Sequence, residues 1–265
     1  MAPITLQRSR ELFNLVNAKV CCPANPAAPC IPFHYPDNGC WGRAHEMCRL
    51  MIAAGEQPRK IWINGSLRVD SRNKPTCVVT WVWHVAPTVE VGVAGGSSIY
   101  VIDPSLFDGP VPQATWIAIQ NAPGATITHT GPEIFHNFYA PDRLDPTYVK
   151  SDGVLATYRN ELMLRSAEPG GPLPYTNCMT RGPGVQWFGS IGPNASRRWF
   201  TWGWPARWHI IWTIMPLTPC PGGPQLTWQV AVERASADQC TYWITVQNLT
   251  GDPVKFEGRF DVLSR

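Results

Sequence analysis

The sequence predicts an α+β protein in two successive parts, and three observations predict it. Charged residues make up only 15% of the 265 positions, while Pro 27, Gly 22 and Trp 13 are high. That balance favours strands, turns and ordered loop over a helical bundle. Up to about residue 167, amphipathic helical patterns alternate with β-forming runs. Beyond EPGGPLP (168–174) the texture becomes alternating apolar and polar segments separated by Pro/Gly turns. The expected architecture is a helix packed on an antiparallel sheet, followed by an all-β, sandwich-like region.

Taken in order, TLQRSRELFNLVN (5–17) places Leu6, Leu12, Phe13 and Val16 on one side of a short helix. A Cys/Pro/Ala loop follows, and then Asp37-Asn38-Gly39, residues that favour a tight turn and can cap a helix. CWGRAHEMCRLMIAAG (40–55) sets Trp41, Ala44, Cys48 and Met51 near one face, with Gly55 as its stop. KIWINGSLRV (60–69) reads as a strand kinked at Asn64-Gly65, and CVVTWVWHVAPTVEV (77–91) as a strand interrupted by Pro87. GVAGGSS turns the chain and IYVID (99–103) returns as a hairpin partner. PVPQATWIAIQN (110–121) fits a helix of two to three turns, and VLATYRNELMLRSA (154–167) fits helix or strand alike. After the linker, RRWFTWGW, RWHIIWTIM, LTWQVAVER, CTYWITVQNL and VKFEGRFDVL read as strands. The division is 1–30 for the N-terminal helix and Cys/Pro loop, 31–168 for a catalytic domain, 169–174 for a linker and 175–265 for a Trp-rich β domain.

Several function classes drop out. A net charge of +3 with no Lys/Arg run does not suit nucleic acid. No stretch of about 18 apolar residues exists to span a membrane. The opening MAPITLQRSRELF lacks a basic segment followed by an apolar one, so the chain as written reads as cytoplasmic, or as secreted if a leader has been removed. Nine cysteines, at 21, 22, 30, 40, 48, 77, 178, 220 and 240, leave at least one thiol outside any internal disulfide. Without a leader, the expectation is that most are free buried thiols. No cofactor is implied. A metal site at Cys40, His45 and Cys48 fails on geometry, because His45 lies about 140° round the helix from Cys40.

Cys40 itself sits where chemistry is favoured. At a helix N-terminus, unpaired backbone N–H groups and the helix dipole stabilise a thiolate. The N–H groups of Cys40 and Trp41 are also suited to an oxyanion. A base is required, from among His34, His45, His84, His129, His136 and His209. His84 stands in an apolar strand where an unpartnered imidazole is costly, and Asp103 ends the returning strand. Cysteine on a helix start, histidine on a strand and carboxylate on its neighbour make up a thiol-hydrolase arrangement. The hairpin register decides the contact. With a turn centred on Gly95-Gly96, Asp103 falls opposite Thr88, about 13 Å along the strand from His84. Contact then demands Val91 paired near Gly96, or a bulge at Pro87; a tight turn with a regular ladder is expected to leave Asp103 out of reach. Spacing alone does not separate Cys40 the nucleophile from a small buried thiol or half of a disulfide.

The ordered blocks NGCWGRAHEM, KIWINGSL, WVWHVAP and YVIDPSLFDGPV, continued more weakly by EIFHNFYAP and VLATYRNELMLRS, resemble the bacterial protein-glutaminase family over about residues 31–167. The resemblance implies a papain- or transglutaminase-like core that deamidates glutamine side chains of proteins or peptides. It implies Cys40 as nucleophile, His84 as general acid/base and Asp103 as the group that orients His84. Trp41, Trp81, Trp83 and Trp116 are then candidates for an apolar cleft around the substrate, with plain core packing as the competing account. Two other functions fit the same residues: acyl transfer or amide cleavage on a small or carrier-bound metabolite, and a non-catalytic binding role. The Trp-rich β region lies outside the resemblance, and its Trp202, Trp204, Trp208 and Trp212 suit either a ligand platform or a core with its rim.

Overall fold

The computed structural model describes residues 2–136, 143–168, 173–178 and 184–264. Its first part comprises α1 (Leu6–Asn17), α2 (Cys40–Ala53), β1 (Arg59–Asp70), β2 (Val78–Val93), β3 (Gly96–Val101), β4 (Val111–Pro112), α3 (Gln113–Ala118), β5 (Thr126–Thr130) and α4 (Val149–Ala167). The strands form one antiparallel sheet in the order β4-β3-β2-β1-β5. Alternation along β1 and β2 sends side chains to two cores, one on each face. Trp62, Val85, Val89 and Val91 meet Leu12, Phe13 and Val16 of α1 and Ala44, Met47 and Met51 of α2. On the other face Ile61, Ile63, Leu67 and Ala86 meet Val101 and Trp116 of α3. The stretch 154–167 resolves in favour of helix, because Leu155 and Leu162 are buried on one side of α4. Pro87 does not break β2: it pairs with Lys60, and its carbonyl still accepts from Ile102 N at 3.0 Å. The expected kink at Asn64-Gly65 is a register shift between Asn64 and Leu67.

The second part comprises β6 (Val185–Ile191), β7 (Ser196–Pro205), β8 (His209–Pro216), β9 (Leu226–Arg234), β10 (Gln239–Asn248) and β11 (Val254–Ser264). They make two three-stranded antiparallel sheets, β7-β10-β9 and β6-β11-β8, which share one core of Trp204, Trp212, Ile214, Tyr242, Ile244, Val246 and Phe256. Of the linker expected at 169–174, residues 169–172 lie outside the described residues, as do 137–142 within the EIFHNFYAP and following stretch.

Two expectations need correction. The cysteines are mostly paired, as Cys21–Cys30, Cys22–Cys220 and Cys77–Cys178, leaving Cys40, Cys48 and Cys240 as buried free thiols. Partners 198 and 101 residues apart in sequence carry no local spacing signal. The hairpin turn is centred on Ala94-Gly95 instead of Gly95-Gly96, with Val93 opposite Gly96 and Thr88 opposite Val101. Gly95 sits at φ 86°, a conformation that favours glycine, and this fixes the turn one residue earlier than expected.

Candidate active site

The corrected register brings His84 and Asp103 together. Continuing the ladder from Thr88 and Val101 sets Asp103 opposite Ala86, two residues from His84 on the same face. Diagonal neighbours of this kind lie about 7–8 Å apart at the backbone, within reach of a histidine and a carboxylate. His84 Nε2 and Asp103 Oδ2 are 2.8 Å apart. A tight turn and a regular ladder are therefore compatible with the contact, contrary to the expectation from sequence, which allowed only for directly opposed pairs.

Each member of the pair is held. Asp103 Oδ2 also accepts from Trp116 Nε1 at 2.9 Å, and Oδ1 from Ser105 N at 3.2 Å. Its carbonyl accepts from Leu106 N and Phe107 N, which turns the chain directly after the carboxylate. Trp81 stacks on the His84 ring at 4.7 Å and 7°, and Trp116 at 5.5 Å and 21°. Exposure of 1% for His84 and 2% for Asp103 makes this a desolvated ion pair. Burial opposes a charge on His84, but the Asp103 carboxylate, its hydrogen bond and then Cys40 outweigh burial and raise the imidazole to about 9. Burial likewise works to raise the Asp103 carboxyl, and the His84 charge and bonds from His84 and Trp116 hold it below the usual range.

Cys40 opens α2. Of the Asp37-Asn38-Gly39 turn expected to cap the helix, Gly39 is the N-cap at φ 76°, through backbone geometry and without a side-chain hydrogen bond. A Cβ on Gly39 would stand 2.2 Å from the Tyr158 ring of α4, so only glycine lets the two helices meet here. Asp37 instead anchors the loop, bonding Lys74 at 2.8 Å and Arg165. Arg43, 1% exposed, donates to the carbonyls of Tyr35 and Asn38 at 2.9 and 2.6 Å from within the helix. β3 pairs with β2 only from Thr88 to Val93, so the earlier half of β2 has β1 alone as a strand partner. The loop ahead of α2 reaches that half: Trp81 Nε1 donates to the carbonyls of Pro36 and Asp37, both at 3.0 Å. Cys40 thereby lies near enough to the imidazole to help raise it, and His84 Nδ1 has no hydrogen-bond partner among the described residues.

The four tryptophans divide. Trp116 is wholly buried among the α3-side core, and with Trp81 it packs against His84. Trp41 and Trp83 lie 5.6 Å apart, and His136 stands edge-on to them at 5.5 and 5.2 Å. The sequence gives His136 no signal beyond its place in the weakly resembling EIFHNFYAP block; only the fold sets it beside Trp41. Cys40 is 5% exposed. Two openings of about 310 and about 1120 Å³ lie where the two parts of the chain meet, and neither is lined by Cys40 or His84. No group of three or more metal-ligating side chains occurs among the described residues.

Comparison with known proteins follows this geometry. Residues 9–120 match the sequence model of a glutaminase family, Gln_deamidase_2. A crystal structure of protein-glutaminase superposes with a TM-score of 0.51 at 27% identity, covering 60% of this chain and 91% of the other. The solution structure of protein-glutaminase from Chryseobacterium proteolyticum gives 0.53 at 25% identity, covering 67% and 98%. A crystal structure of pro-protein-glutaminase gives 0.52 at 25%, covering 68% and 65%. The first part of the chain is similar to a glutaminase family and to solved protein-glutaminases. No curated protein matches it in sequence. The likeness is to amidohydrolases, and these solved structures cover at most 68% of the chain.

Proposed function

We propose that this protein deamidates glutamine side chains of proteins or peptides through Cys40, His84 and Asp103. The observation that carries the reading is the 2.8 Å His84–Asp103 contact with Cys40 beside the same imidazole. The Cys40 thiolate attacks the carboxamide carbon, and the backbone N–H groups of Cys40 and Trp41 receive the oxyanion. His84 gives its proton to the departing ammonia, leaving a thioester. Water then attacks the thioester with His84 as base, releasing glutamate and restoring the thiol. Asp103 keeps the imidazole oriented and supports its charged form.

A papain- or transglutaminase-like core over 31–168 and a sandwich-like domain over 175–265 complete the reading, the latter supported by two sheets on one core. Trp41 and Trp83 are the cleft residues that we retain. We favour an oxidising compartment and hence a secreted protein, because six of nine cysteines are paired.

The test is ammonia release from a glutamine-containing peptide by wild type and Cys40→Ala. The substitution is expected to lower the rate by at least ~10³-fold without unfolding the chain. Hydrolysis adds about one mass unit to the peptide, whereas acyl transfer to an amine gives a heavier product. Iodoacetamide is expected to label Cys40 ahead of Cys48, whose thiol burial pushes up to about 11. Equal labelling of the two would remove Cys40 from the nucleophile's role.

A further inference from the structure

Behind the cleft residues lies a second buried polar cluster that the proposed chemistry does not use. Lys60, at 0% exposure on β1, donates from Nζ to the carbonyl of Ile134 at 2.6 Å and contacts His45 Nδ1 at 2.9 Å. An ammonium can only donate, so His45 accepts at Nδ1 and carries its hydrogen on Nε2. Nε2 then donates to the carbonyl of Asp145 at 3.1 Å. Burial, followed by the Lys60 charge, pushes His45 down to about 4, which keeps the ring in this neutral form.

Ile134 and Asp145 are the two ends of one excursion of the chain. Ile134 bridges Leu144, and Phe135 N donates to Arg143 O at 2.6 Å, which brings the two ends together. On the exit side the Asp145 carboxylate accepts from Ser151 N at 2.7 Å and Ser151 Oγ at 2.8 Å, tying it to the start of α4. Phe135 and Tyr148 pack on the His45 ring at 5.4 and 4.9 Å. One lysine thus holds the entry directly and the exit through one imidazole. The residue after Phe135 is His136, which stands against Trp41 and Trp83 next to Cys40.

We propose that Lys60 and His45 form a positioning pair that sets the His136–Trp41–Trp83 wall against which a glutamine side chain is held. Neither residue touches the reacting atoms; they act through the backbone that carries His136. Two buried polar groups joined by three hydrogen bonds are an expensive way to pack a helix on a strand. Their bonds go to backbone carbonyls at both ends of the excursion, a placement that fixes position and not only packing.

The proposal rests on the glutaminase reading, and its test separates the two. Lys60→Met removes the donor while keeping an unbranched side chain. It is expected to raise KM for a glutamine peptide roughly tenfold with kcat within about twofold, the signature of lost binding with intact chemistry. His136→Ala is expected to give the same change, and the double variant no more than either alone, since both act through one wall. An activity-free measurement accompanies these: the His136 ring resonance, assigned by its loss in His136→Ala, is displaced in wild type by the Trp41 and Trp83 ring currents. Lys60→Met is expected to abolish that displacement while leaving the His129 resonance in place. Lys60→Gln, which keeps a shorter donor, serves if Lys60→Met fails to fold, and is expected to show the same pattern at smaller size. An unchanged His136 resonance in the folded lysine variant, a fall in kcat at constant KM, or additive effects in the double variant each overturns the proposal. If wild type releases no ammonia, the enzymatic reading fails instead, and the resonance alone decides the pair.

Discussion

Both parts of the chain bury tryptophan, but they surround it differently. In the C-terminal sheets Trp204 and Trp212 pack edge-on at 5.4 Å, and against Tyr242 and Phe260, in a core of aromatic and aliphatic side chains. In the N-terminal sheet the rings stand beside buried ionisable groups. Trp81 and Trp116 stack on His84, Trp116 donates to Asp103, and Arg43, His45 and Lys60 are buried in the same part of the chain. Burying an aromatic ring stabilises by area alone, whereas burying an imidazole or ammonium costs free energy unless partners are arranged. The C-terminal sheets bury Lys255 and Glu257 on β11, but the N-terminal part accepts this cost at Arg43, His45, Glu46, Lys60, His84, Asp103 and Asp145, and that concentration is where chemistry is to be expected.

The sharpest way to break this comparison is Asp103→Asn. If the carboxylate supports the charged imidazole, kcat/KM is expected to fall by roughly 10³–10⁴-fold, as for orienting aspartates in other triads. The pH profile adds a sign. His84 is raised to about 9, so activity that needs its protonated form persists to about pH 9 and is lost above it. Without the carboxylate that alkaline limb moves to lower pH; an unmoved limb would show that Asp103 does not set the charge on His84. The raised His84 contributes stability that is full below the unfolded imidazole value of about 6.5 and is lost as pH rises through the folded value, while the depressed Asp103 carboxyl loses its contribution as pH falls through its own folded value.

Trp212→Ala probes the other side of the comparison. Truncating a ring that is 5% exposed is expected to cost about 3–5 kcal/mol in urea unfolding of the C-terminal sheets. Ammonia release per folded molecule should stay near wild type, since nothing at His84 depends on that core. Smaller again is Gly39→Ala, with roughly 1–2 kcal/mol lost to a left-handed backbone before the Tyr158 contact is counted. Adding Tyr158→Ala is expected to recover the contact part, visible as a partial return of the melting temperature. Trp202→Ala should change stability by no more than about 0.5 kcal/mol, because the ring is 72% exposed. A larger loss there would mean that the outer face contributes more to the fold than its exposure implies.

Much of this was legible from local pattern. The spacing of Leu12, Phe13 and Val16 gave α1, and the alternation in CTYWITVQNL gave β10, because one face of each is buried. What escaped had a weak local signature or none. β5 and β6 carry weak signals: TITHT is short, and VQWFGSI, although flanked by GPG and GPN, has no clean alternation. The hairpin register turned on which residue takes φ 86°, and Gly95 and Gly96 are equivalent by composition. His45 was dismissed because it points away from Cys40, which is correct as geometry; its contact with Lys60 becomes visible only when α2 lies on β1. His136 likewise gains meaning from packing.

The bonds between cysteines carry one more consequence. Cys22–Cys220 joins the loop after α1 to the segment after β8, and Cys77–Cys178 ties the start of β2 to the turn Thr176–Cys178. A protease that nicks the chain once between residues 178 and 220 therefore releases nothing: the fragments migrate together on a denaturing gel until a reductant is added. In a protease-rich medium, such a molecule loses continuity of backbone before it loses either of its parts.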